Sequence, residues 1–356
     1  MRAALLTLSS LALQGCFTVR YIAQAAGGEY HILHAARPIA SVIADDTTPE
    51  RIRRLVGMVR AMKAYGQTQG LRPTRNYDSY ADLHRAAAVW VVEACAPLAF
   101  QSVHWSFPFI GSIPYLGFFH EGDARKLGAS LERQGLDVEV RTAAAFSTLG
   151  WFKDPVLSTM IPAGSEALGE LADTVLHESV HATLYVKDQS AFNESLASFV
   201  AERLTGPFLS EMVGPEAPET RAWAAAQARY TQRLTRLHRA YEELDAVYRS
   251  DRSDAAKRVE KAALLGALRA ELGVTGVLNN ATLAGYRTYD TGGPAFERLL
   301  TACRGSFPRM LKTLSGLRAA DFGQAQREDF GDVIDRLTAR GCEEMTERGR
   351  DRLTRE

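Results

Sequence analysis

Apolar positions along the chain change rhythm several times, and each rhythm predicts a different element. Over residues 21–85 they recur at helical spacing: Tyr30, Ile32, Leu33, Ile39, Val42 and Ile43 form one run, which Pro38 should kink or split because it lacks an N–H and clashes with the preceding turn. Asp46-Thr47-Thr48-Pro49-Glu50 reads as a helix start, with Thr48 as N-cap and Pro49 in the first position. Ile52, Leu55, Val56, Val59 and Met62 continue that helix towards Gly66 or Gly70. From Ala86 to Gly150 the pattern shortens to strands at Val89–Val92, Ser102–Phe107, Ile113–Phe119 and Leu136–Arg141, all rich in β-branched and aromatic residues. An amphipathic helix, Asp123–Gln134, falls between the last two and stops at Gly135. Leu168, Leu171, Val175, Leu176, Val180 and Leu184 then place apolar groups on more than one side of a helix, the mark of a buried one. Gly206-Pro207 and Gly214 to Pro218 should break the chain. Arg221–Arg249 follows as a long charged helix with one apolar stripe, and Asp254–Leu272 folds back on it as a hairpin after a turn at Ser250 to Ser253. The remainder to Gly341 is helical with short breaks, and the last fifteen residues are charged and frayed.

These elements predict an α+β fold, predominantly helical, with one small mixed sheet and a helical C-terminal lobe. The expected division is residues 16–189 for the N-terminal lobe and 190–356 for the C-terminal one, after a targeting segment at 1–15. With 46% apolar residues the chain can bury a sizeable core. Its 42 basic and 42 acidic residues balance, without a basic block, so no nucleic acid is expected as a partner.

Arg2 followed by the short apolar stretch Ala3 to Leu13 reads as a secretory signal, too short to span a membrane. Leu13-Gln14-Gly15-Cys16 resembles a lipobox, which implies cleavage before Cys16 and acylation of that residue. Cys95, Cys303 and Cys342 then remain. Three cysteines allow at most one disulfide, and none has the C-x-x-C spacing of a structural zinc or redox motif.

The candidate chemistry lies in the buried helical segment, at His177-Glu178-x-x-His181. Residues four apart share a helix face, so both imidazoles can reach one metal ion. Glu178 points about 100° away, placed to take a proton from water. That is the arrangement of metal-assisted hydrolysis. Buried and unpaired, these three polar groups would each cost about 1–3 kcal/mol, which a metal would offset. A catalytic zinc takes three protein ligands and leaves a place for water. Glu194, near the start of a helix that Ser190 would cap, is the expected third ligand, ahead of Asp188 and Glu202. Asn193 and Ser198 are candidates to orient the ligands through hydrogen bonds. His31, His34, His104, His120 and His238 have no partner motif and read as ordinary surface or packed histidines.

His177-Glu178-x-x-His181 followed by Asn193-Glu194-x-x-Ala197-Ser198-Phe199 resembles the glutamate-zincin metallopeptidases. Leu13 to Cys16, Phe146 to Phe152, Asp154 to Thr159, and Leu278-Asn279-Asn280-Ala281 with Tyr289 extend the likeness to a family of bacterial lipoproteins described as zinc aminopeptidases. The resemblance implies a zincin-like fold holding one Zn²⁺ and hydrolysing peptides, with Glu178 as base and a tyrosine stabilising the oxyanion. Tyr289 is chosen for that role over Tyr286. Phe146 to Phe152 would be the edge strand that receives the substrate backbone. The connection from His181 to Glu194 is shorter than in the larger zincin branches, which leaves less room for a substrate-contacting insertion. Phe17 after Cys16 implies, by analogy with lipoprotein sorting, the outer membrane facing the periplasm. The alternative is a non-enzymatic envelope lipoprotein that binds zinc, and zinc amidase action on cell-wall peptides is a third possibility.

Overall fold

A computed structural model describes residues 2–107, 111–146, 153–290 and 292–342, with the side chains of residues 2–16 and 288–290 outside the described set. Its elements run in the order α1 (Arg2–Ala35), β1 (Arg37–Pro38), α2 (Ile39–Ala44), α3 (Glu50–Gly57), α4 (Val59–Thr68), β2 (Ser79–Ala81), β3 (Val89–Cys95), β4 (Trp105–Phe107), β5 (Gly111–Ile113), β6 (Tyr115–Phe118), α5 (Glu121–Glu132), β7 (Asp137–Ala143), β8 (Val156–Leu157), α6 (Ala167–Thr183), α7 (Ser190–Met212), α8 (Pro218–Arg249), α9 (Asp254–Leu272), α10 (Asn280–Asp290), α11 (Gly293–Ala302), α12 (Phe307–Leu314) and α13 (Gly331–Arg340). The fold is α+β and mostly helical. Among the described residues no helix is long and apolar enough to cross a membrane.

Pro38 splits the first helical run: α1 stops at Ala35, and Pro38 sits in β1 before α2 begins. The next helix starts one residue later than its sequence suggests. Pro49 is its N-cap, because the Asp45 carboxylate accepts the Thr47 N–H at 3.0 Å and turns the chain before Thr48 could cap it. Pro207, by contrast, does not end α7. A proline inside a helix costs about 3 kcal/mol, yet Phe208 and Leu209 beyond it are fully buried, and that packing carries the helix on to Met212.

The single mixed sheet expected from the strand patterns is, among the described residues, three small sheets. β3 lies between β6 and β7, antiparallel to both, with Val92 opposite Leu116 and Val140. Pro114 divides the stretch Ile113–Phe119, so β5 pairs with β4 as a separate two-stranded ribbon. The third sheet, β1-β2-β8, is mixed, with β1 antiparallel and β8 parallel to β2. α5 covers the antiparallel sheet through Ala124 and Leu131, packed with Leu116 and Val138.

α6 joins the two largest cores. Its first half (Leu168, Leu171, Val175) packs with Tyr77, Val156, Phe208 and Trp223. Its second half (Leu176, Val180) packs with Phe192, Leu196, Phe296 and Phe330. Gly169 makes this possible on one side, since a Cβ there would meet the Trp223 ring at 2.7 Å. α8 and α9 close over a separate seam of Leu237, Leu244, Leu265 and Leu268. Ser253 caps α9, and left-handed Gly273 ends it. Cys303 and Cys342 form a disulfide across the α11–α13 core, while Cys95 is a buried free thiol.

Candidate metal centre

α6 is buried on most sides, so its polar residues lie largely against protein. His177 and His181 sit one turn apart near its C-terminal end, with His181 7% exposed. After Thr183 the chain turns extended at Leu184 and re-enters helix at Ser190. Asn193 fixes this connection: its side-chain amide donates to the Val186 carbonyl and accepts from the Val186 N–H, both at 2.8 Å. Asp188, in left-handed backbone, accepts the Ser112 N–H at 2.8 Å, and its carbonyl accepts the Gln326 N–H at 2.7 Å. Gln189 rather than Ser190 is the N-cap of α7, and the Ser190 N–H, in the helix's first position, donates to Gln326 Oε1 at 3.0 Å. A loop held from three sides therefore sets where Glu194 arrives.

Glu194 arrives at the histidines. His177 Nε2 and His181 Nε2 are 3.2 Å apart, and Glu194 Oε2 lies 3.4 Å from the first and 3.7 Å from the second. Ligand bonds of about 2.0–2.1 Å in a tetrahedral site put neighbouring donor atoms roughly 3.3 Å apart. The triangle has that size, its donors are two imidazoles and a carboxylate, and the side chains are mostly buried. His177, His181 and Glu194 thus form a group able to hold a metal ion. Next to them, Glu178 Oε2 is buried without a hydrogen-bond partner, free to accept a proton.

The trio is also strongly polarised. Burial opposes a charge on His177, but the Glu194 hydrogen bond and the charges of Glu178, Glu194 and Asp173 outweigh it and raise its pKa to about 9. Burial likewise works against the Glu194 carboxylate. The adjoining His181 and His177 imidazoles win, and hold it far below the usual carboxylate range. A cation between these groups would take over the role of the imidazolium proton.

Asp173, one turn before His177 on the same helix, escaped the sequence reading. Burial chiefly pushes its pKa up to about 7, with His177 pulling it down and Glu202 and Glu170 adding to the rise. An acid four residues before the first histidine of an apolar helix was the signal available. Tyr185 was missed too. Its ring meets His181 edge-on at 6.3 Å between centroids, with 39% of the residue exposed. Tyr77, 3% exposed and in left-handed backbone, lies within electrostatic reach of Glu178.

The other expected residues fall elsewhere. Asp188 ties loops together, and Glu202 is exposed further along α7. Neither joins the metal group. Asn193 orients the loop backbone rather than a ligand side chain, and Ser198 is half-buried on α7. Tyr286 packs into the α8–α9 seam under Arg233. Tyr289 belongs to α10, but its side chain lies outside the described residues, as do the side chain of Cys16 and residues 147–152 of the proposed edge strand. Phe146 itself stacks edge-on against Phe119. His31, His34, His104, His120 and His238 are all exposed and apart from the centre.

Comparison with known proteins adds one finding. No curated protein and no solved structure matches the chain. A family model does, over residues 20–330, a span that takes in the sheets, the metal group and α10. The chain belongs to the family described as "Putative aminopeptidase".

Proposed function

We propose that this protein is a zinc-dependent peptidase, acting on the free amino end of peptides. The observation that carries the reading is the donor triangle of His177, His181 and Glu194 beside the unpartnered Glu178 carboxylate. Two nitrogen donors and one carboxylate at tetrahedral spacing suit zinc, and three protein ligands are the number found in catalytic rather than structural sites. When bound, the ion supplies a Lewis acid that polarises the scissile carbonyl and acidifies water. The protein's residues do the rest. Glu178 accepts a proton from the attacking water and delivers it to the departing amine. Asp173, one turn before His177, acts on its imidazole through its charge alone. Family membership supports a peptidase, and the intact acid at position 178 argues against a purely structural ion.

Tyr289 is carried as the residue that stabilises the oxyanion, on the strength of the α10 segment that holds it. Anchoring by acylated Cys16 in the bacterial envelope, facing the periplasm, is part of the same proposal. The Cys303–Cys342 disulfide supports an oxidising compartment. Elemental analysis with a panel of aminoacyl and internally quenched peptides tests the reading. Zinc at one ion per chain with hydrolysis that Glu178→Gln removes is the expected outcome. Zinc without hydrolysis of any peptide would favour a binding protein instead.

A further inference from the structure

Residues 322–330, between α12 and α13, form little regular structure, yet they hold the turn that delivers Glu194. Gln326, in left-handed backbone, donates its N–H to the Asp188 carbonyl at 2.7 Å. Its side chain accepts the Ser190 N–H on Oε1 at 3.0 Å and donates from Nε2 to the Ser112 carbonyl. Gln189, 1% exposed, reaches back: its Nε2 donates to the Gln324 carbonyl at 2.7 Å, and its Oε1 accepts the Arg327 N–H at 3.1 Å. At the two ends of the segment, the buried Phe322 and Phe330 rings meet Phe192 edge-on, at 5.2 and 5.6 Å between centroids. Phe192 lies in the first turn of α7, just before Glu194. The approach to the metal group is therefore gripped both by backbone and by rings.

What holds the segment is α13, which starts at Gly331 directly after it and packs into one core with α11 through Val333, Ile334 and Leu299. Arg298 and Asp335 pair across the two helices at 2.8 Å, but both are about half exposed, and such pairs add little. The Cys303–Cys342 disulfide joins the helices covalently, from the end of α11 to just past the end of α13. We infer that residues 322–330 are a strap that sets where Glu194 stands, and that this disulfide fastens it, so that opening the disulfide weakens metal binding at His177, His181 and Glu194. Opening takes an external dithiol. One of its thiolates attacks the sulfur of Cys342, the less buried partner, and Cys303 leaves as a thiolate. The second thiol of the reagent then releases Cys342, so the protein gains two electrons and two protons while the reagent becomes a disulfide. A loosened strap leaves Glu194 beside the histidines for a smaller fraction of the time, and apparent affinity falls with that fraction. This rests on the metal-binding half of the function proposed above and not on the peptidase half.

The test is zinc affinity, measured by competition with a chromophoric chelator. The variant carrying both Cys303→Ala and Cys342→Ala, and Gln326→Ala by itself, should each bind zinc about 10–100-fold more weakly than the wild type, the usual loss when the support of a ligand is removed. Leu265→Ala destabilises the separate α8–α9 seam and should keep the wild-type affinity, which separates positioning from a general loss of stability. Wild-type affinity in the double cysteine variant, or an equal loss in Leu265→Ala, overturns the strap's role. A double variant that does not fold overturns it too, because the disulfide would then support the whole fold. Amide exchange on the metal-free protein reads the strap without an ion. Opening the disulfide should speed exchange at the Ser190, Gln326 and Arg327 N–H groups and leave α9 unchanged. If the wild type binds no zinc, the metal reading fails and this exchange judges the strap alone, with equal rates before and after opening counting against it.

Discussion

Two helix pairs in this protein, each joined by a short turn, handle charge in opposite ways. α8 and α9 bury one apolar seam and leave most of their charges in solvent, where His238–Glu242, Arg239–Glu243 and Arg249–Asp245 pair one turn apart, Lys261 on Asp137 being the buried exception. α6 and α7 are buried almost all round, and Asp173, His177, His181, Asn193 and Glu194 lie inside. Water compensates the charges of the first pair, so their identity matters little. Only protein or a bound ion can compensate those of the second, so each needs a specific partner. The same residue types are solvated in one pair and need a specific partner in the other.

The sharpest break of this contrast is His181→Ala. It should abolish stoichiometric metal binding, read by elemental analysis, and hydrolysis with it. Glu178→Gln should keep the metal and lower kcat by about 10²–10⁴-fold, the usual contribution of a general base. If metal were lost as well, Glu178 would be a ligand and not a base. Packing separates the pairs next. Leu176→Ala, in the core between α6 and α7, should cost about 2–5 kcal/mol in denaturant unfolding. Val259→Ser on exposed α9, at 70% exposure, should stay within about 0.5 kcal/mol.

A pH titration of the metal-free protein sharpens the same point. Asp173 has a folded pKa of about 7 against an ordinary value of 3.8. Between those values the folded state holds a proton that the unfolded chain has lost, so stability falls as pH rises through the window and the full penalty stands above it. Asp173→Asn should therefore gain stability over the wild type at pH 8 and gain nothing near pH 3. The smallest effect is expected at the exposed pair: Arg239→Ala should cost about 0.3–0.5 kcal/mol, vanishing in high salt. A larger cost would mean that α8 carries more than a solvated face.

Much of the centre was legible because a helix has a fixed period. His177, Glu178 and His181 are organised by local geometry alone, and an acid following a short turn was a short step further. The long α8–α9 hairpin was legible for the same reason, its stripe and its Ser253 cap being local signals. The sheets were less so. β1, β2 and β8 are two or three residues each and exist only because distant segments pair, which no local pattern announces. Pro207 misled because the packing that overrides it comes from other helices.

The chain by itself determined which residues could share a helix face and where buried helices had to run. Tertiary structure decided whether Glu194 reaches the histidines, through the Asn193 clamp and the loops tied to Asp188 and Gln326. It also decided that Cys303 pairs with Cys342, and that the Glu29 carboxylate is buried. The physical reason is common to all of these. Spacing along a helix is a property of neighbours in sequence, whereas burial and convergence depend on segments that meet only when the whole chain has folded.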